Sequence, residues 1–188
     1  MKKEAIQKGR VRNIVLGVTG SIAAYKAGDI IRRLQEEGFS VQVIMTKEAE
    51  KFITPLTITS LLGNKVHRDM FDEGDPAWPM SHISLAKEAD ILLIAPATAN
   101  IIGKIANGLA DDLLTCVVLA TRAKLAIAPA MNDVMYKNEA VQENCARLRK
   151  RGFQFIEPIK GQLACGTFGE GHLAEVEDIV KAVVRIAK

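Results

Sequence analysis

The chain has 188 residues, of which 48% are hydrophobic and 25% are charged, a composition typical of one compact domain with its own core. Its 25 basic and 22 acidic residues give a formal net charge of +3, and only two Tyr and one Trp are available to stack on bases. These values argue against a nucleic-acid partner, and we expect a single domain over residues 1–188.

Short apolar runs alternate with amphipathic stretches along the chain. The predicted strands cover residues 11–18, 40–45, 91–95, 125–128 and 153–156. Apolar residues at helical spacing predict a helix over 22–37, ending at Gly38, and a last helix over 175–187. Near-continuously apolar strands that alternate with helices indicate an α/β fold with a doubly wound parallel sheet. In such sheets, ligands bind beyond the carboxyl ends of the strands.

A strand-to-helix turn follows the first predicted strand, with the sequence Gly17-Val18-Thr19-Gly20-Ser21-Ile22-Ala23-Ala24-Tyr25-Lys26. Gly20 permits a tight bend, and Ser21 lies where the N–H groups of a helix N-terminus favour an anion. The turn is neither a complete G-x-G-x-x-G fingerprint nor a Walker loop, so a mononucleotide phosphate fits it better than a dinucleotide. An ordinary capped turn is the alternative.

The third and fourth predicted strands also end in turns with polar side chains. Thr98 and Asn100 lie among small residues that leave room for a flat ring, whose polar edge their side chains can pair with. Asn132 offers two uncharged N–H donors, which suit a substrate carboxylate. The alternative for Asn132 is a helix cap. The adjacent Asp111 and Asp112 are interpreted as a cap and not as a catalytic pair.

Two further residues are candidates for a chemical role. Cys165 lies among three glycines in the segment 163–172, which we interpret as a flap over a small ligand; a surface turn with an incidental cysteine is the alternative. His82 follows a polar loop over 69–79 and is a candidate general base, although a lone histidine is more often structural.

The sequence contains no apolar run near the roughly 20 residues of a membrane-spanning helix and no apolar signal-peptide core, so we expect a cytoplasmic protein without a membrane partner. The three cysteines show no C-x-x-C spacing, which argues against disulfides and against a metal site. Cys116 and Cys145 lie in apolar or helical patterns and are expected to be packing residues.

Taken together, these segments resemble the homo-oligomeric flavin-containing cysteine decarboxylases. The matching segments cover nearly the whole chain: 20–26, His82, 95–100, 129–132 and 164–166. The resemblance implies a flavodoxin-like (Rossmann-like) fold that binds FMN and assembles as trimers or trimer-based dodecamers, with active sites at subunit interfaces. It also implies decarboxylation of 4'-phosphopantothenoylcysteine to 4'-phosphopantetheine in coenzyme A biosynthesis. A separate phosphopantothenate–cysteine ligase would then be a partner.

The same resemblance assigns a role to individual residues. The FMN-binding residues are Gly20, Ser21, Ile22, Thr46, Thr98, Ala99, Asn100 and Ala130. The substrate-binding residues are Met131, Asn132, Ala164 and Gly166. His82 matches the catalytic histidine and Cys165 the proton donor on the flap. The implied reaction passes through a thioaldehyde and an enethiol, because bound FMN accepts a hydride before carbon dioxide leaves and returns it afterwards. Many bacterial members carry arginine where this chain has His172.

Three other functions stay open from the sequence. A peptidyl-cysteine oxidative decarboxylase stops at the enethiol and lacks the flap cysteine, so Cys165 argues against it. A non-catalytic flavoprotein regulatory subunit usually carries an acidic tail, which this sequence does not show. A plain FMN electron carrier would not need His82, Asn132 and Cys165 together.

Overall fold

The computed structural model describes residues 13–71, 80–162, 164, 166 and 168–188. Five parallel strands form one sheet in the order β2-β1-β3-β4-β5. The strands are β1 (Asn13–Val18), β2 (Ser40–Met45), β3 (Ile91–Ala97), β4 (Lys124–Pro129) and β5 (Gln154–Phe155). This order is that of flavodoxin-like sheets, in which the chain direction across the sheet switches between β1 and β3. The predicted doubly wound parallel sheet is therefore confirmed.

Eight α-helices are present in the described part of the chain. They are α1 (Ala27–Glu36), α2 (Pro55–Leu62), α3 (Ser81–Glu88), α4 (Ala99–Ala106), α5 (Leu113–Ala120), α6 (Asp133–Lys137), α7 (Glu139–Lys150) and α8 (Val176–Ala187). The predicted helix 22–37 starts as a 3₁₀ helix, Ile22–Lys26, before α1, and it ends at Gly38 with φ of 84°. No helix within the described ranges is both long and apolar enough to cross a membrane.

Two hydrophobic clusters cover the two faces of the sheet, because successive strand residues point to opposite faces. On one face, Leu16 of β1 packs in a cluster with α1, α2 and α8. On the other face, Val15 packs in a cluster with α3, α4, α5 and α7. Cys145 is fully buried in the second cluster, as predicted. Cys116 is only half-buried and belongs to neither cluster, so it contributes less to packing than expected.

A two-stranded antiparallel hairpin follows the sheet and was not predicted as strands. Its strands are β6 (Ile159–Gln162) and β7 (Phe168–His172), and we call this element the flap hairpin. Gly171, in β7, accepts a 3.0 Å hydrogen bond from the backbone N–H of Met131 through its carbonyl oxygen. The flap hairpin is therefore attached to the segment that follows β4.

Candidate active site

A cavity of about 740 Å³ opens beyond the carboxyl ends of β1, β3 and β4. Its size lies in the range typical of sites for small molecules and cofactors. The cavity is lined by all eight residues that the family resemblance assigns to the cofactor: Gly20, Ser21, Ile22, Thr46, Thr98, Ala99, Asn100 and Ala130. The flap hairpin contributes Gln162, Ala164, Gly171 and His172. The cavity therefore joins the predicted cofactor segments to the flap.

The first wall of the cavity is the turn after β1. Ser21 caps the 3₁₀ helix, and its Oγ accepts a hydrogen bond from the backbone N–H of Ala23 at 3.3 Å. A Cβ atom on Gly20 would collide with Glu48, so only glycine fits where this turn passes the segment after β2. Thr46 starts that segment and its backbone N–H donates to the carbonyl oxygen of Val18 at 3.0 Å. The alternative of a capped turn is thus correct for Ser21, and the cap lies at the cavity wall.

One buried hydroxyl group connects two walls of the cavity. Thr19 is only 2% exposed, and its Oγ1 donates to the carbonyl oxygen of Pro96 at 2.7 Å. The same oxygen accepts the backbone N–H of Thr98 at 3.2 Å. Thr98 in turn caps α4 by accepting the N–H of Ile101. The sequence does not predict this role of Thr19, because no local pattern shows that a residue after β1 contacts the end of β3.

On the substrate side, Asn132 is both a helix cap and a cavity residue. Its Oδ1 accepts the backbone N–H groups of Val134 at 2.9 Å and Met135 at 3.4 Å, at the start of α6. Met131, Asn132 and Met135 all line the cavity. Because the cap uses the amide oxygen, the amide nitrogen is the end of the side chain that can donate to an anion.

The flap residues are only partly described. Ala164 lines the cavity, whereas Gly166, with φ of 86°, is not among the described residues that do so. Cys165, the predicted proton donor, lies outside the described residues. Near the base of the flap hairpin, a Cβ atom on Gly171 would collide with the carbonyl oxygen of Met131, and one on Gly169 with the side chain of Asp133. Glycine at both positions lets β7 pack directly against the start of α6.

Lys26 is the only Lys or Arg among the described residues that line the cavity. Its Nζ lies 3.3 Å from Nε2 of His172 and 3.8 Å from a carboxylate oxygen of Glu175. An ammonium group can only donate, so Nε2 of His172 is the atom that can accept a hydrogen bond from Lys26. Sequence reasoning gave neither residue a role, since the two lie 146 positions apart. The cavity cation is therefore held toward the flap hairpin.

The two adjacent aspartates have different neighbours in the cavity wall. Asp112 lines the cavity and caps α5 in a capping box with Thr115, which confirms the cap interpretation for Asp112 but not for Asp111. Lys104 donates to Asp111 at 2.8 Å and to Asp112 at 3.1 Å. The hydrogen bond from Lys104 lowers the pKa of Asp111, and the bonds to both carboxylates raise the pKa of Lys104. This ion-pair cluster braces α4 against the start of α5.

His82 is not among the described residues that line the cavity. It is half-buried in the first turn of α3, and its Nδ1 atom is buried without a hydrogen-bond partner in the part of the chain that is described. Buried polar atoms are normally satisfied, so this atom is an exception that calls for an explanation. Within one chain, the predicted cofactor residues and Asn132 therefore line the same cavity, whereas His82 lies outside it. Among the described residues, no group of three or more His, Cys, Asp or Glu could hold a metal ion.

The family model described as "Flavoprotein" matches residues 2–188, which is nearly the whole chain. The chain belongs to the flavoprotein family. Among solved structures, a PPC decarboxylase variant complexed with pantothenoylaminoethenethiol superposes on this flavoprotein with a TM-score of 0.84. It is 34% identical, and the match covers 95% of this chain and 99% of that chain. The FMN-dependent cysteine decarboxylase SpaF gives a TM-score of 0.79 at 33% identity, over 95% and 98% of the two chains.

Two curated relatives with higher sequence identity show the same similarity to decarboxylases of coenzyme A biosynthesis. The coenzyme A biosynthesis bifunctional protein of Vibrio vulnificus is 49% identical over 169 residues, which are 90% of this flavoprotein but only 42% of that protein. The probable phosphopantothenoylcysteine decarboxylase of Streptococcus mutans is 44% identical over 174 residues, which are 92% of this chain and 97% of that protein. The predicted resemblance to flavin-containing cysteine decarboxylases is therefore confirmed.

The Thr19 hydroxyl gives a first prediction. In Thr19→Val the shape is kept, but the carbonyl oxygen of Pro96 and the N–H of Thr98 lose a buried partner. We expect the free energy of unfolding to fall by about 1–3 kcal/mol, measured in urea, and flavin affinity to fall as well. Thr121→Val is the matched control, because Thr121 Oγ1 also bonds one carbonyl oxygen and one N–H, remote from the cavity. Equal loss of flavin affinity in both variants would contradict a specific role for Thr19.

Proposed function

We propose that this flavoprotein decarboxylates 4'-phosphopantothenoylcysteine to 4'-phosphopantetheine in coenzyme A biosynthesis, with FMN bound in the cavity. The observation that carries the proposal is the single cavity that contains all eight predicted cofactor residues together with Met131, Asn132 and Ala164. The Streptococcus mutans relative and the PPC decarboxylase complex support the substrate by their similarity to this chain.

The residues present fit FMN. Two helix N-termini, capped by Ser21 and Thr98, meet the cavity and favour a phosphate group. The exposed apolar side chains of Ile22 and Met135 offer a surface for a flat ring. The collision of any Cβ on Gly20 with Glu48 shows that the backbone of this turn packs closely against the segment after β2. When bound, FMN supplies the electron sink that loss of carbon dioxide from an N-acylated cysteine requires.

Asn132 orients the substrate. Its amide nitrogen donates to the carboxylate that leaves, and the cap on α6 fixes the direction of the side chain. An uncharged donor suits this task, because a cation beside the carboxylate would stabilise the ground state. The cavity cation, Lys26, is paired instead with His172 and Glu175. The flap, with Ala164, Cys165 and Gly166, excludes water, and Cys165 delivers the proton that completes the product.

His82 does not line the cavity of its own chain, so a second copy of the chain is needed to bring it to the site. We propose assembly in multiples of three, as a trimer or a dodecamer, with His82 of a second copy completing each cavity as the general base. In support, the cavity is lined by three well-exposed apolar side chains, those of Ile22, Tyr25 and Met135. Contiguous exposed apolar surface is typical of interaction sites. A phosphopantothenate–cysteine ligase as partner and a cytoplasmic location stay predictions.

Two measurements test this proposal. Purified protein should be yellow with noncovalent FMN, and it should convert 4'-phosphopantothenoylcysteine to 4'-phosphopantetheine and carbon dioxide with no net change in flavin absorbance. A colourless protein that takes up no FMN, or an FMN-loaded protein without turnover, would overturn it. Light scattering that shows a stable monomer would contradict the shared site.

The role of His82 gives the second prediction. His82→Asn should lower substrate-dependent flavin reduction by about 100-fold while FMN stays bound, because the side chain transfers a proton and lies outside the cofactor cavity of its own chain. Stopped-flow absorbance measures the rate. Co-expression of His82→Asn with Asn132→Asp subunits should restore part of the activity if the two residues come from different copies. Mixed oligomers without recovered activity would place both residues in one chain.

A further inference from the structure

Helix α6, which Asn132 caps, is too short to be stable without contacts to the rest of the protein. α6 has five residues, and isolated helices of that length are unstable in water. The backbone N–H of Tyr136 donates to the carbonyl oxygen of Asn132 at 2.9 Å, so Tyr136 and Asn132 form one rigid turn. The contacts at the far end of α6 therefore decide where Asn132 lies in the cavity.

Those contacts lead away from the cavity. Tyr136 is 7% exposed, and its hydroxyl group donates to Oε2 of Glu157 at 2.9 Å. Arg149 donates to the other oxygen of Glu157 at 2.7 Å, and its guanidinium lies 4.2 Å from the centre of the Phe155 ring. Both carboxylate oxygens of Glu157 are thus used, one by α6 and one by α7. We call Tyr136, Glu157 and Arg149 the α6 clamp.

Through Glu157, the α6 clamp joins α6 to the segment that leads into the flap hairpin. Glu157 lies between β5 and β6, and Pro158 separates it from the first residue of the flap hairpin. The other strand of the flap hairpin contacts the opposite end of α6, through the hydrogen bond between Met131 and Gly171 and through the close packing of Gly169 on Asp133. α6 is therefore connected to the flap hairpin at both of its ends.

A phenylalanine would fill the space of the Tyr136 ring equally well. Burial, followed by the hydrogen bond to Glu157, raises the pKa of Tyr136 to about 12, so the hydroxyl group stays protonated and acts as a donor at neutral pH. A hydrogen bond of this kind contributes about 1–3 kcal/mol of net stability, and it is also directional. It therefore fixes the orientation of α6 in addition to stabilising the fold.

We infer that Tyr136 is a positioning residue for the decarboxylation. Its bond to Glu157 sets the orientation of α6, and thereby the direction in which the Asn132 amide faces the cavity. This inference rests on the proposed function for the substrate, whereas the ordering of α6 can be measured without any substrate.

Tyr136→Phe removes only the hydroxyl group and tests the inference. We expect the KM for 4'-phosphopantothenoylcysteine to rise about tenfold, with kcat changed less than threefold and FMN binding unchanged. Hydrogen–deuterium exchange of the α6 amides should become faster. Glu157→Ala removes the acceptor of the hydroxyl group and should therefore resemble Tyr136→Phe.

Thr54→Ala is the matched control for a general loss of stability. Thr54 caps α2 through the N–H of Thr57, and neither residue lines the cavity. This variant should lower the melting temperature by a similar amount with no change in KM or in α6 exchange. An unchanged KM in Tyr136→Phe, or equal effects of Tyr136→Phe and Thr54→Ala, would overturn the positioning role. An unmodified, FMN-loaded protein without turnover would instead overturn the proposed function and leave the exchange result to decide the role of the α6 clamp in ordering α6.

Discussion

Replacing Asn132 with aspartate is expected to lower turnover of 4'-phosphopantothenoylcysteine about 1,000-fold while the protein stays folded and loaded with FMN. Aspartate caps helices as well as asparagine does, so the bonds to Val134 and Met135 persist. The new carboxylate repels that of the substrate, and like charges brought together cost about 4 kcal/mol, which is roughly three factors of ten. Steady-state kinetics with a check of flavin content measures the effect.

Asn132→Ser is the control for the cap. Serine keeps a capping oxygen and adds no charge, but it lacks the amide donors, so its activity should lie between those of the unmodified protein and the aspartate variant. Turnover retained in Asn132→Asp would show that the residue is a helix cap only.

Replacing Cys165 with serine should abolish formation of the saturated product. An alkanol is far less acidic than a thiol with a pKa of about 8.5, so proton delivery to the enethiol fails while oxidation and decarboxylation survive. Carbon dioxide should be released once per active site. Mass spectrometry of the quenched mixture should then show a species two hydrogens lighter than 4'-phosphopantetheine.

The Cys165→Ser result also separates the proposed reaction from its nearest rival. A peptidyl-cysteine oxidative decarboxylase forms an enethiol without this cysteine, so its yield of that product would not depend on Cys165. Normal turnover of Cys165→Ser to the saturated product would mean that the thiol is not the proton donor.

The sheet could be predicted from the sequence because its strands carry a strong local signal. The predicted strand 40–45 coincides with β2, and the strands predicted at 91–95, 125–128 and 153–156 differ from β3, β4 and β5 only at their ends. Of the strand predicted at 11–18, residues 13–18 form β1, and residues 11–12 lie outside the described part of the chain. The flap hairpin could not be predicted as strands. In β7 the sequence Phe168-Gly-Glu-Gly-His172 has no β-branched residue, and its order comes from packing on Met131 and Asp133, which are distant in sequence.

The cofactor side of the site could be predicted because Ser21 and Thr98 each follow a recognisable strand, and parallel strands bring their carboxyl ends to one edge. His82 gave no such signal, since it starts a helix and its expected partners lie on another copy of the chain. Lys26 and His172 meet only because the flap hairpin returns to the first turn, and no local pattern records that return. Sequence patterns therefore located the part of the site built by the sheet.

The cavity is lined by residues from both the N-terminal and the C-terminal half of the chain, which affects when it can form during translation. The residues that line it start at Thr19, after β1, and extend to Leu173, after the flap hairpin, so two segments distant in sequence face each other across one ligand site. During synthesis, the flap hairpin and α8 leave the ribosome after all five strands, so until then the cavity is open on one side and one face of the sheet lacks part of its cover. Stable capture of the cofactor therefore becomes possible only once almost the whole domain has been translated.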